Sequence, residues 1–433
     1  MKFTLNHQEL CEAVSIVSRA VSAKSSLPAL EGILIRAEEN GKVFFAGYDL
    51  EMAITTEAEA RVAEAGSVVV NARLISEMVR RMNADHVSIE TDENNMAQIK
   101  CGNSEFSIIG ISALEYPEIP PIDSENQISL SQAMLKSMIH QTLFAVAVSD
   151  TKPVQKGTLF EITDSFIRLV SVDGFRLAMR TEPARCENNM KFVVPGKTLS
   201  EIAKLLGDTE EEILIHIGKR HIQFTIGGYQ ICSRLLDGEF LNYRANIPRT
   251  CTSISTVKTS DFISAVERVS LIISDRALSP VRCEFDERSI RIFCNTAMGK
   301  ANDVVEAGME GDPVEIAFNN RYMLDALRAS GSDEVKIELS GSFSPMKIIP
   351  VEGEEFLFLI LPVRIRNEIR ENSLFHGIHQ TGFLFEIRGR GADRRPREAA
   401  RAEWRGPGKR RNMHDAGQKD SPGRHGRAPW RAV

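Results

Sequence analysis

The side chains with the clearest chemistry in this sequence are two arginines seven residues apart. Arg73 and Arg80 lie in NARLISEMVRRM, residues 71–82, a segment whose apolar residues recur with helical spacing. Seven residues are nearly two helical turns, so both guanidinium groups should emerge from the same side of a helix. Guanidinium groups bind phosphate or carboxylate oxygens. The pair therefore indicates either a surface that binds phosphates or a helix face whose arginines form ion pairs within the helix.

The segment occurs three times at a constant offset of 124 residues. SVVVNARLISEMVRRM, KFVVPGKTLSEIAKLL and VEIAFNNRYMLDALRAS each pass from an apolar or β-branched run through Asn71, Pro195 or Asn319 into a helix. The offset places a basic residue at both positions of every copy. A further lysine follows the first helix of the chain, and the predicted phosphate-facing residues are Lys24, Arg73, Arg80, Lys197, Lys204, Arg321 and Arg328.

An acidic residue recurs four positions after the first base of each copy, at Glu77, Glu201 and Asp325. If these residues form i,i+4 ion pairs of about 0.3–0.5 kcal/mol each, the helices need no ligand. Six recurring cations in an acidic body instead favour a surface that faces phosphate. No aromatic-rich basic strand that could read bases is visible, so contacts with duplex DNA should be independent of sequence.

Net charge divides the chain into two parts. The full chain has 53 basic and 59 acidic residues, a net charge of −6. Residues 366–433 hold 16 of the basic and 8 of the acidic residues, so the first 365 residues carry a net charge of −14. Residues 366–433 are rich in Arg, Gly and Pro without a sustained period, which predicts a largely disordered extension. It either binds nucleic acid or acidic partners, or has no selected function.

The elements that must position the cations recur with the same offset. Each module is predicted to open with a helix and a strand pair, and its second helix is followed by two more strands. The opening helices lie in NHQELCEAVSIVSRAV, SQAMLKSMIHQTLFAV and KTSDFISAVERVSLII. Two helices on antiparallel strands, three times over, predict an α+β fold whose sheets join edge to edge with helices on one side. The predicted modules are residues 1–124, 125–248 and 249–365, followed by the extension 366–433.

Motifs for nucleotide-dependent, metal-dependent or nucleophilic catalysis are absent from the sequence. Asp173 precedes Gly174 in SVDGFRLAM, which indicates a turn aspartate, and His216 and His221 flank a predicted strand turn. The seven cysteines are scattered without a C-x-x-C pair, which predicts reduced thiols. No secretory signal or long apolar run is present. We therefore expect a cytoplasmic protein that is not an enzyme and uses no metal or cofactor.

VSVDGFRLAMRTE, LLDGEFLNYRANIP, FNNRYMLDAL and FLILPVRI resemble segments of the bacterial DNA polymerase III β subunits, the sliding clamps, and AGYDLEMAI fits the same pattern. The resemblance covers residues 1–365. It implies a head-to-tail homodimer of three-module subunits, closing a six-module ring around duplex DNA. It also implies a clamp loader, the replicative DNA polymerase and other clamp-binding proteins as partners. The alternative is a repeat scaffold that binds peptides or acidic ligands without encircling DNA.

The resemblance further implies a partner-peptide pocket between modules two and three. An apolar cleft with a few polar rim groups suits a short extended peptide with Leu or Phe anchors. The positions that match the family are Val172, Gly174, Phe175, Arg176, Leu177, Leu241, Leu278, Asn319, Tyr322, Phe343, Pro345, Leu359, Leu361, Pro362, Val363 and Arg364. Departures from the family pattern concern which peptide is preferred, rather than whether a pocket exists, and lie at Phe175, Leu241, Ala245 and Asn246.

A dimer seam is also implied by matching positions. Phe106 and Ile108 belong to an edge strand of module one, facing Ile272 and Ile273 after the first helix of module three. Edge strands with apolar neighbours invite pairing with another chain. A subunit with two such ends can close head to tail with a second copy.

Overall fold

The computed structural model describes residues 1–122, 126–149, 152–184, 186, 188–274 and 279–364. Leu278 and the extension 366–433 lie outside the described residues. Within them the helices are α1 (His7–Val17), α2 (Ala72–Arg81), α3 (Gln132–Leu143), α4 (Gly196–Leu205), α5 (Thr259–Ser270) and α6 (Asn320–Ser330). None of these helices is long and apolar enough to cross a membrane.

The second helix of each module begins where the repeat predicts. The side chains of Asn71 and Asn319 accept hydrogen bonds from backbone N–H groups in the first turns of α2 and α6. Pro195 precedes α4 without a side-chain cap. Since an uncapped first turn leaves N–H groups without partners, the two asparagines stabilise their helix starts and fix where each helix leaves its strand.

Antiparallel strands make up the rest of each module. Module one contains β1 (Lys2–Asn6), β2 (Gly32–Ala37), β3 (Lys42–Tyr48), β4 (Met52–Glu59), β5 (Arg61–Glu64), β6 (Gly66–Asn71), β7 (His86–Thr91), β8 (Met96–Cys101) and β9 (Ser104–Ile109). Module two contains β10 (Asn126–Ser131), β11 (Gly157–Ile162), β12 (Phe166–Val172), β13 (Arg176–Pro183), β14 (Met190–Pro195), β15 (Glu212–Ile217), β16 (His221–Ile226) and β17 (Tyr229–Arg234). Module three contains β18 (Ser253–Lys258), β19 (Val281–Asp286), β20 (Ser289–Thr296), β21 (Gly299–Gly311), β22 (Val314–Phe318), β23 (Glu334–Leu339), β24 (Met346–Pro350) and β25 (Phe356–Ile360).

The sheets cross from one module to the next. Their strand orders are β5-β1-β7-β8-β9, β10-β15-β16-β17-β4-β3-β2-β6 and β14-β11-β12-β13-β25-β24-β23-β18-β21-β20-β19-β22. Strand β4 of module one pairs with β17 of module two, and β13 of module two pairs with β25 of module three. Strands β4, β13 and β21 occupy equivalent places in the repeat, as do β9, β17 and β25. The predicted α+β modules with sheets joined edge to edge are therefore confirmed.

Two of these equivalent edges lack a partner within the described part of the chain. Strand β9 ends the five-stranded sheet and pairs only with β8. Strand β21 pairs with β20 through residues 299–306, and on its other side β18 contacts only residues 307–311. One side of residues 299–306 is therefore an open edge, equivalent to the edges that join the modules inside the chain.

The chain after the last strand of each module folds back onto the strand that precedes the second helix. There the N–H groups of three residues donate to carbonyl oxygens spaced 124 residues apart: Ile111 to Val69 (2.8 Å), Leu236 to Val193 (2.9 Å) and Val363 to Ala317 (2.7 Å). This contact partly covers an otherwise open sheet edge. In module three it fixes residues 361–364 beside α6 and β22.

Apolar side chains fill the space between helices and sheets. One core runs through modules one and two, and a second fills module three. Two smaller clusters lie at the module junctions. The first contains Tyr48 and Tyr116, and the second contains Val172, Leu177 and Leu359. The junctions are thus packed as well as hydrogen-bonded.

Helix α1 packs closely on its sheet at Gly47 in β3. A Cβ atom at residue 47 would lie 2.0 Å from the carbonyl oxygen of Val17, at the end of α1. Because that oxygen belongs to backbone, Gly47→Ala should destabilise the fold by about 3 kcal/mol. Gly308→Ala is the matched control, since nothing lies within 4 Å of its added Cβ. Thermal unfolding should show a lower Tm for the first variant and little change for the second; equal Tm values would contradict the packing.

Candidate functional site

The six repeated cations are exposed on the second helices, and Lys24 is exposed in the loop after α1. Within each module the second helix packs against the first, and its apolar residues enter the core. Ile75 and Val79, for example, are buried between the exposed Arg73 and Arg80. The cations therefore occupy the helix faces left open by packing, as the helical spacing predicts.

Most of these cations have a carboxylate partner, but few of the partners follow the i,i+4 spacing. Arg73 contacts Glu77 at 3.2 Å, as that spacing predicts. Glu201 and Asp325 instead contact Lys204 (2.7 Å) and Arg176 (2.5 Å). Lys197 pairs with Asp49 and Arg328 pairs with Glu267, both through long-range contacts.

Asp49 fixes Lys197 at the junction of modules one and two. One carboxylate oxygen of Asp49 accepts hydrogen bonds from the N–H groups of Glu51 (3.0 Å) and Met52 (2.7 Å), and the other contacts the ammonium group. The Asp49 side chain is only 6% exposed. A nearly buried carboxylate needs such partners, so this contact belongs to the junction.

Asp173 has the same position at the second junction, and the predicted turn is confirmed. Its Oδ1 atom accepts hydrogen bonds from the N–H groups of Phe175 (2.9 Å) and Arg176 (3.0 Å). Gly174, between Asp173 and Phe175, has φ of 91°, a conformation that favours glycine. The turn thereby aims Phe175 outward and holds Arg176 against the body.

An aromatic and charged cluster forms beside this turn. The guanidinium group of Arg176 contacts Asp173 (2.9 Å) and Asp325 (2.5 Å) and lies 4.5 Å from the ring centre of Tyr322. Burial raises the pKa of Tyr322 above its usual value of 10.0. The phenol therefore stays protonated near neutral pH and can donate a hydrogen bond.

Several residues matched by the sequence resemblance meet at this cluster. Phe175 is 53% exposed and stacks on Tyr322, with ring centres 5.9 Å apart. The N–H group of Leu361 donates to the carbonyl oxygen of Phe175 at 2.9 Å. Asn319 caps the helix that carries Tyr322. Residues from β13, α6 and the segment after β25 are thus brought to one place.

The apolar members lie deeper. Val172, Leu177 and Leu359 are buried in one cluster, with Leu241 packed on its border. Phe343 is 66% exposed, Pro345 and Pro362 are half-buried, and Val363 and Arg364 are exposed. The predicted set therefore contains residues buried at the second junction as well as half-buried and exposed ones.

An open groove adjoins this cluster, and the sequence pattern did not predict it. The groove measures about 620 Å³ and shares Leu241 with the predicted pocket. Charged side chains such as Glu161, Lys191 and Arg244 line it together with apolar walls from Leu159, Phe192, Val193, Leu235, Leu236 and Phe240. The two apolar pairs in LLDGEFLNYR were the available signal for it.

The predicted seam residues lie at the two open edges or near them. Phe106 and Ile108 are on β9 and pack against the module-one core, and Ile272 and Ile273 follow α5 and pack against the module-three core. Three exposed apolar residues on or beside these edges, Ile109, Leu271 and Val304, were not among the predicted residues. Strand alternation in SEFSII could have placed Ile109 on the opposite face from Ile108.

No group of three or more His, Cys, Asp or Glu residues that could hold a metal ion occurs in the described ranges. Three other surfaces stand out: the cationic helix faces, the second junction with its charged and aromatic cluster, and the open sheet edges with exposed apolar residues. All three are suited to binding macromolecules.

Family comparisons agree over the whole described body. Models of the DNA polymerase III beta subunit match as its N-terminal domain at residues 1–120, its central domain at 129–242 and its C-terminal domain at 244–364. The beta sliding clamp of Bacillus subtilis (strain 168) is 32% identical over 377 residues, covering 84% of this chain and 100% of that protein.

Solved structures show the same similarity. The DNA polymerase sliding clamp from Bacillus subtilis has a TM-score of 0.82 at 32% identity, covering 84% of this chain and 99% of that one. A sliding clamp from Pseudomonas aeruginosa bound to griselimycin has a TM-score of 0.79 at 26% identity, covering 84% and 100%. The chain therefore belongs to the DNA polymerase III beta subunit family, the non-catalytic sliding clamps of bacterial DNA replication.

Proposed function

We propose that two copies of this chain close head to tail into a ring around duplex DNA. The ring tethers the replicative DNA polymerase and other clamp-binding proteins, and a clamp loader opens it and places it on DNA. Because the ring encloses chromosomal DNA, we infer that it works in the cytoplasm. The predicted modules 1–124, 125–248 and 249–365 would supply half of a six-module ring.

The open edges carry the ring proposal. Inside the chain, β4 joins β17 and β13 joins β25. The remaining members of these two equivalent sets are β21 and β9, and both have a side without a partner among the residues that the structure describes. Pairing β9 of one subunit with β21 of another repeats the internal junction and satisfies exposed backbone groups. Two β9–β21 contacts between two subunits leave neither β9 nor β21 unpaired, so the dimer closes into a ring.

The cationic helix faces support a central DNA-binding surface. We assign Lys24, Arg73, Arg80, Lys197, Lys204, Arg321 and Arg328 to it. They are exposed, and six of them recur at equivalent positions in a body with a net charge of −14. Contacts of cations with phosphates hold any duplex without reading its sequence.

The second junction supports a partner-peptide pocket. Its floor is apolar, Phe175 and Tyr322 form an aromatic rim, and the groove beside Leu241 adds apolar and charged walls. Exposed aromatic rings and apolar clefts are the features that bind peptide anchors such as Leu and Phe. The rim changes at Phe175 and Leu241 give this clamp its own preference among partner peptides.

The DNA surface is tested by neutralising one cation in each module. Arg73→Gln, Lys197→Gln and Arg321→Gln together should weaken binding to a labelled linear duplex. The slope of log K against log salt should fall by about 0.9 for each phosphate that the variant no longer neutralises. Lys2→Gln, Lys42→Gln and Arg291→Gln remove the same charge from sheet strands and serve as the control. An unchanged salt slope in the first variant would remove this assignment.

The pocket is tested at its C-terminal wall. Leu361→Asp should weaken binding of a synthetic polymerase-tail peptide by about thirtyfold or more, because a charge replaces an apolar contact at an anchor site. Leu114→Asp, on a leucine that is 96% exposed, is the control. Isothermal calorimetry gives both affinities. Wild-type affinity in Leu361→Asp would place the pocket elsewhere.

The seam is tested by mass in solution. Light scattering at micromolar concentration should give twice the subunit mass of 48.2 kDa. Ile272→Asp should yield monomers, since it puts a charge into the seam, whereas Val148→Asp, at a residue that is 95% exposed, should leave the dimer intact. A monomeric wild-type protein contradicts the ring.

A further inference from the structure

One carboxylate in each module contacts a cation of the second helix. Glu77 contacts Arg73 at 3.2 Å and Arg81 at 3.9 Å in module one. Glu201 contacts Lys204 at 2.7 Å in module two. Glu267 contacts Arg328 at 2.5 Å in module three. The proposed DNA surface therefore carries its own negative charges.

In module three a carboxylate again pairs with a cation of the second helix, but this carboxylate is not at the position equivalent to Glu77 and Glu201. Glu77 and Glu201 are 124 residues apart, and the next equivalent residue is Asp325. Asp325 is engaged by Arg176, which also stacks over Tyr322 at the second junction. Glu267 from α5, the first helix, takes its place against Arg328. Because residues at different positions form this carboxylate–cation pair in different modules, we infer that the negative charge itself is required.

Two of these carboxylates lie in ion pairs that are open to water. The side chains of Glu77 and Glu267 are 43% and 47% exposed, and those of Arg73 and Arg328 are 86% and 54% exposed. Glu201 is less open, at 17%, although its partner Lys204 is 55% exposed. Ion pairs in contact with water contribute little net stability. A DNA phosphate that comes within reach can therefore replace the carboxylate at small cost. The contact between Asp49 and Lys197 differs, because Asp49 is nearly buried and held by two N–H groups.

We propose that Glu77, Glu201 and Glu267 are counter-charges that compete with DNA phosphates for the cations of the second helices. By doing so they limit how tightly the closed ring holds the duplex and keep it free to slide. A cation beside a carboxylate attracts distant phosphates less than a free cation does. This inference rests on the proposed DNA surface.

The test removes the carboxylate charges and keeps the side-chain size. Glu77→Gln, Glu201→Gln and Glu267→Gln together should increase the affinity for a linear duplex at low salt by about tenfold or more. The salt slope should steepen by about 0.9 for each additional phosphate that the variant neutralises. Rings loaded on stretched DNA should diffuse more slowly in single-molecule tracking. Glu77→Gln alone should produce a smaller change in the same direction, and thermal unfolding checks the fold of each variant.

The control removes equal charge from pairs on sheet strands. Glu57, Glu90 and Glu284 contact Lys42 (3.0 Å), Lys2 (2.8 Å) and Arg291 (3.2 Å). If their Gln variants change DNA affinity and diffusion as much as the helix variants do, overall charge explains the effect and the inference fails. It also fails if the helix variants match the wild type while the cation-neutralised variant has weaker binding. If the triple carboxylate variant and the cation-neutralised variant both keep the wild-type salt slope, the proposed DNA surface itself is wrong.

Discussion

Strand pairing at the module junctions is the constraint on which the other features of this clamp depend. Each module has two equivalent edges whose N–H and C=O groups need partners. Pairing of β4 with β17 and of β13 with β25 orients the modules and carries their helix pairs with them. The same pairing brings Asp49 to Lys197 and Arg176 to Asp325. The choice of paired strand edges thus determines which charged side chains meet, which apolar side chains cluster and which strand edges stay open.

The two internal junctions use one framework but are filled differently. At the first, Tyr116 is buried and its hydroxyl donates to the carbonyl oxygen of Ala46 at 3.2 Å, so the space is closed. Phe240 is the equivalent residue at the second junction, where Leu241 borders an open groove. The turn residue Leu50 has φ of 73°, whereas its equivalent is Gly174. This difference is consistent with the proposed peptide pocket at the second junction, which the family resemblance implied.

The sequence predicted what depends on local spacing. The repeat of 124 residues located the six α-helices of the described residues and the exposed cations, and the Asp173–Gly174 pair predicted a turn, because helix faces and turns are set by neighbouring residues. It could not predict ion-pair partners such as Asp49 for Lys197, which are 148 residues apart. The depth of Val172 also depends on strands from a different module. Such contacts follow from junction geometry, which a residue pattern along one chain does not contain.

Closure changes what the electrostatics of a clamp must do. An open DNA-binding protein stays bound only while its cations hold phosphates, so weak contacts mean release. A closed ring has no such route of escape, and attraction needs only to centre the duplex. On the proposed DNA surface, paired cations such as Arg73 with Glu77 suit that task, since an ion pair that is open to water contributes little net stability. Lys197 differs, because the nearly buried Asp49 holds it at the junction and compensates its charge there.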